Sequence, residues 1–205
     1  MSDRAMIFIE GPWLRHAVHS LGSGFRADYN SLPDALAEES AKKLGLEETM
    51  LVKPVCFYDT VPVNFDPQDN AGAIRIRAVH DNLRSRGYNV TVYPMDYQGS
   101  RIRRDERMES TRFAPEKFVD MSLGAGMLDY ARSDLYDVAI PLIGAGKYVP
   151  ALQLVRKSGK RVVVATIRDN CSPLYTSTSP HEILRECYDG VIFLDDFVGK
   201  IEFRG

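Results

Sequence analysis

Cysteine is scarce in this chain of 205 residues, with only Cys56, Cys171 and Cys187 present. An odd, widely scattered set makes a poor disulfide framework and has no metal-ligand spacing, which points to a reducing, cytoplasmic setting. His16, His19, His80 and His181 have no cysteines at zinc-binding spacing, so a zinc module is excluded. Long apolar runs are missing as well. None reaches the ~18 residues that a membrane span requires, and the apolar stretch of the opening MSDRAMIFIE is too short for a signal peptide. No excess of positive charge exists either. The formal net charge of -2 argues against a polycationic nucleic-acid binder, while leaving room for a local basic patch. Repeats, low-complexity tracts and a convincing domain boundary are all lacking, so one domain over residues 1–205 is expected.

What is present reads as an ordinary globular composition, 44% hydrophobic and 26% charged. Short Val- and Ile-rich runs alternate with helical patterns, the sign of a mainly parallel α/β sheet flanked by helices. Strands are expected at Met6–Ile9, Val52–Tyr58, Asn89–Tyr93, Arg161–Ile167 and Val191–Leu194, with another beginning at Tyr136 to Ala139. Helices are expected at Pro12–His19, from Ser31 through Leu44, over Ala71–Arg86 with Gly87 as a left-handed cap, on both sides of the strand at Tyr136, and at Ser179–Cys187. Residues 60–70 hold two prolines and several turn formers and read as a loop, and residues 96–114 read as polar and mobile.

The most informative stretch is Glu116 to Pro150, EKFVDMSLGAGMLDYARSDLYDVAIPLIGAGKYVP. Lys117, Val119, Asp120, Leu123, Met127 and Leu128 fit a helix. Tyr136 to Ala139 fit the start of a buried strand, and Gly144, Gly146, Tyr148, Val149 and Pro150 fit a turn into the next helix. The pattern resembles the signature of the NYN domain, a PIN-like nuclease family. The opening MIFIEGPWL, the strand Val55 to Asp59 and the run Ser179 to Asp196 are similar to the same family, so the resemblance covers most of the chain. It implies a PIN-like three-layer fold. It also implies a carboxylate cluster at the carboxyl ends of the strands, holding magnesium or manganese to activate water against a phosphodiester.

The resemblance carries Glu10 over as a metal-binding acid, one methylene longer than the Asp it implies, and Asp120 as a second. At three further acid positions this chain has Gly126, Ala145 and Lys147. Other strand-end acids, Asp59 with Asp96 and Asp169, are candidates to rebuild a site, so the catalytic set is Glu10, Asp120 and Asp59. Each of these residues also has a simpler reading. Glu10 would be a solvated or capping acid, and Asp120 a helix-dipole acid. Gly126 would permit close helix–sheet packing, and Lys147 would be a solvated turn residue. Gly144-Ala145-Gly146-Lys147 is not a phosphate loop, because Pro141 stands where its first Gly belongs and Tyr148 replaces its Ser or Thr.

Between Arg101 and Arg112 five arginines stand against Asp105, Glu106 and Glu109. Guanidinium groups suit bidentate phosphate contacts, and Tyr93, Tyr97 and Phe113 flank them as stacking residues. Arg101, Arg103, Arg104 and Lys147 are therefore the candidate RNA contacts; a loop laced with ion pairs is the other reading. Three functions are open. The first is a pseudonuclease that binds RNA or a protein partner without cleaving and needs no cofactor. The second is an active ribonuclease using magnesium or manganese at a rearranged acidic site. The third is a homo-oligomeric interaction protein. No membrane partner is expected.

Overall fold

The structure, a computed structural model, describes residues 2–102, 115–177 and 186–203. Its centre is a six-stranded, wholly parallel sheet in the order β3-β2-β1-β4-β5-β6. The strands are β1 (Arg4–Glu10), β2 (Leu51–Val63), β3 (Asn89–Asp96), β4 (Val138–Leu142), β5 (Arg161–Thr166) and β6 (Gly190–Phe193). The helices are α1 (Gly11–Ala17), α2 (Leu32–Leu44), α3 (Asn70–Ser85), α4 (Pro115–Arg132), α5 (Val149–Lys157), α6 (Pro173–Thr176) and α7 (Val198–Ile201).

Strand alternation divides the core into two. Ile7 and Ile9 of β1 and Phe57 of β2 face a layer containing Leu14 of α1, Leu36 of α2, Leu83 of α3 and Ile201 of α7. Met6, Phe8 and Tyr58 face the other, where Val119, Leu123 and Met127 of α4 meet Leu152 and Val155 of α5. The central strands are buried on both faces, as their unbroken apolar runs require. The result is the expected three-layer α/β fold.

The ends of β2 and β3 run well past the sequence reading. β2 continues to Val63 through residues read as a loop, pairing Thr60–Val63 with Tyr93–Asp96 of β3. β1 ends at Glu10, opposite Tyr58. Beyond that point β2 has no neighbour on its β1 side, and Pro62 is tolerated as it is on an edge strand. The short helix α6 was not expected. Gly87 ends α3 with a φ of 85°, as its cap reading required. Most of the expected helix at Ser179–Cys187 and most of the arginine-rich stretch lie outside the described residues.

The strand order reverses direction between β1 and β4. In open parallel sheets the crevice beyond the carboxyl ends at that switch point is where ligands bind. Glu10 closes β1 there, and Gly144 to Lys147 follow β4.

Candidate functional site

Glu10 occupies the last position of β1, and the alternation that buries Met6 and Phe8 turns its side chain toward α4 and α5. Asp120, in the second turn of α4, approaches from above the same face. Lys147 sits in a single 3₁₀ turn between β4 and α5 and projects back between them. Its ammonium lies 2.6 Å from Asp120 Oδ1 and 3.2 Å from Glu10 Oε1. The Tyr148 hydroxyl donates to Asp120 Oδ1 at 2.9 Å. Three of the sequence-selected residues, Glu10, Asp120 and Lys147, are thus brought into one cluster.

Burial sets the electrostatics. Desolvation pushes the Glu10 carboxyl above its ordinary value; Lys147 pulls it back and Asp120 adds to the rise. For Lys147 burial works against the charge, but bonding to Asp120 and attraction to Glu10 outweigh it and raise the ammonium above its ordinary value. Burial raises the Tyr148 phenol, and the two carboxylates raise it further, so it stays a donor at neutral pH. Glu10 is 5% exposed, and its Oε2 makes no hydrogen bond among the described residues.

These residues do not fit a divalent ion. Magnesium requires several hard oxygen ligands. Here two carboxylates are already neutralised in part by an ammonium standing between them. Among the described residues no group of three His, Cys, Asp or Glu side chains is placed to hold a metal.

One of the positions lacking an acid, Gly126, has a structural reason. Any side chain at Gly126 would overlap the Tyr58 hydroxyl, so the close-packing reading of that glycine holds. A side chain at Gly144 would overlap the indole of Trp13, whose Nε1 donates to Asn170 O at 2.7 Å. Trp13 therefore lies across the end of β4 and fills part of the switch-point crevice. The Ala145 carbonyl accepts from the Tyr175 hydroxyl at 3.0 Å.

Asp59 does not join Glu10 and Asp120. It follows Phe57 in the alternation of β2 and faces the opposite layer. There it is 1% exposed and is held by the Arg15 guanidinium and by His80 Nε2 at 2.8 Å. Its other oxygen accepts from the Thr60 amide at 2.7 Å. Asp96 caps a turn by accepting from the Gln98 amide, and Asp169 sits in a 3₁₀ turn after β5. The acids at the strand ends are thus divided between the two faces and among separate turns.

Arg101 is engaged within the protein. Its guanidinium bonds both oxygens of Asp69 at 3.0 Å and Gln68 at 2.6 Å, while the side chain stays about half exposed at 52%. Arg103 and Arg104 lie outside the described residues. His16 is exposed on α1, and His19 is exposed in the 3₁₀ turn that follows it.

Sequence reasoning missed Tyr148 as a partner of Asp120, Trp13 as a filler of the crevice, and the Arg15–Asp59–His80 network. The first carried a signal, since a tyrosine directly after Lys147 must share its turn. The network carried none, because its members come from three elements. Comparison with family models, curated proteins and solved structures finds no match to this chain. No helix among the described residues is long and apolar enough to cross a membrane.

Proposed function

We propose that this protein is a pseudonuclease of the NYN, PIN-like kind: a nuclease scaffold that binds RNA without cleaving it. One observation carries the reading. The Lys147 ammonium stands between Glu10 and Asp120 at the switch point, where the resemblance calls for a metal ion. An ammonium supplies positive charge but cannot lower the pKa of a coordinated water, so hydroxide for phosphodiester attack is not generated. The position of Asp59 on the other face agrees with this, because it leaves the site with two carboxylates.

RNA is the ligand class for three reasons. The arginine-rich stretch follows β3 in sequence, and the carboxyl end of β3 lies on the same edge of the parallel sheet as the cluster. Its guanidiniums suit phosphate contacts. Near the end of β3, Tyr93 stacks with Phe118, with ring centroids 5.8 Å apart and planes inclined by 22°. The test is fluorescence anisotropy with a labelled single-stranded RNA in excess chelator. Binding is expected without divalent ions, and replacing Arg101, Arg103 and Arg104 together with Ala should weaken it and flatten its salt dependence. Unchanged affinity and salt slope in that variant would remove the arginines from the reading, and no binding by the natural chain would refute it.

A further inference from the structure

The open edge of the sheet carries a second feature that the cluster does not use. α4 does not close completely over β3, and between them lies a groove of about 610 Å³. Two polar ties bound it. Toward the carboxyl end the Tyr93 hydroxyl is hydrogen-bonded to Ser122 Oγ, and toward the amino end Asn89 Nδ2 donates to the Tyr130 hydroxyl at 3.4 Å. Between the ties the wall on the α4 side is Ala125 and Gly126, and the sheet side presents Tyr58 and Thr91. Asp129 and Arg132 stand along the lining from α4.

The lining discriminates among ligands. The place of a side chain at Gly126 is taken by the Tyr58 hydroxyl, and the open room lies beside the small, exposed Ala125. The Tyr93 ring and the Thr91 hydroxyl then offer stacking and a hydrogen bond, the combination that holds a flat, polar ring. A phosphate is disfavoured inside, since Asp129 offsets Arg132 there. Along a nucleic-acid strand the base would enter, and the backbone would stay outside.

We infer that the groove between α4 and β3 is a subsite for a single unstacked nucleobase of a bound RNA strand. This rests on the RNA-binding reading above and deepens it. The base lies beside Ala125 against the Tyr93 ring, with the Thr91 hydroxyl meeting its polar edge and Arg132 outside against the backbone.

The experiment compares a fluorescein-labelled short oligouridylate with an abasic strand of the same length that keeps every phosphate. It uses the full chain and its Ala125→Phe and Thr91→Val variants, each checked for a native thermal melt. The natural chain should bind oligouridylate about tenfold more tightly than the abasic strand, the scale of one stacked base. Ala125→Phe, which fills the groove, should erase that preference and leave abasic affinity unchanged. Thr91→Val, which keeps the volume but drops the hydroxyl, should narrow the preference even if the first variant fails to fold. If the natural chain binds both strands equally, or a folded Ala125→Phe keeps the full preference, the subsite is overturned and RNA binding stands. If the natural chain binds neither strand, the RNA reading falls and the subsite with it.

Discussion

Replacing Lys147 with Met keeps most of the stem volume and removes the ammonium. Glu10 and Asp120 are then left facing each other with no counter-charge, and Glu10 is 5% exposed. Breaking a fully buried ion pair by removing one partner costs about 3–5 kcal/mol. The Lys147 side chain is 43% exposed, so solvent screening reduces this to about 1–3 kcal/mol. In a chain of this size that corresponds to a melting temperature lower by about 3–10 °C at pH 8. The loss must also depend on pH. Glu10 already has a folded-state pKa raised above 4.5, chiefly by burial, with Lys147 restraining the rise. A raised carboxyl pKa means that the folded state holds the proton better than the unfolded state. Its penalty is therefore present at high pH and fades as pH falls through the raised value toward 4.5. Without Lys147 the pKa climbs further, so the variant should recover toward the natural protein on acidification. Calorimetric melts of both proteins at pH 8 and pH 5 measure this. A variant as stable as the natural protein at pH 8, or one with the same deficit at both pH values, would refute the assigned role of Lys147.

Other outcomes follow from separate parts of the fold. Asp59→Asn should cost about 3–5 kcal/mol in urea unfolding, because it strips the charge that Arg15 and His80 share, yet leave RNA affinity unchanged when measured on folded protein. A loss of affinity without loss of stability would return Asp59 to the functional site. Gly144→Ala must displace the Trp13 indole and should destabilise by about 1–3 kcal/mol. Trp13 is the sole tryptophan, so a red-shifted emission spectrum reports the displacement, and an unshifted spectrum would contradict it. The hydrogen bond from Arg4 holds the Asp137 carboxyl down to about 2, from an ordinary 3.8. That contribution is complete above pH 3.8 and is lost as pH falls toward 2. Because both side chains are about a third or more exposed, at 41% and 34%, Arg4→Gln should lower the melting temperature only slightly at neutral pH. Its deficit should disappear in acid, which circular dichroism melts would follow; a deficit that persists in acid would contradict this pairing.

The layer architecture was legible because continuous apolar runs such as Met6–Ile9 have no solvent-facing side, and helices such as Leu32–Leu44 repeat at helical spacing. The end of β2 was not legible. Pro62 is a turn former by local preference, and only the absence of a β1 neighbour beyond Glu10 makes it acceptable in a strand. In the site, Glu10, Asp120 and Lys147 were readable one by one, but their convergence depends on the turn after β4 folding back over the end of β1. Asp59 shows the opposite failure. Its place at a strand end put it near Glu10 in sequence logic, yet the two-residue alternation of a strand sets Asp59 and its neighbour Tyr58 on opposite faces. Register between β1 and β2 decides which side an acid serves, and it is not written in either strand alone.

The central claim is that a lysine holds the metal position and cleavage is absent. It is tested most directly by incubating labelled single-stranded and structured RNA with the natural protein and manganese, with Asp120→Ala as control. The account predicts intact RNA with both proteins. Manganese-dependent cleavage by the natural protein that Asp120→Ala abolishes would contradict it.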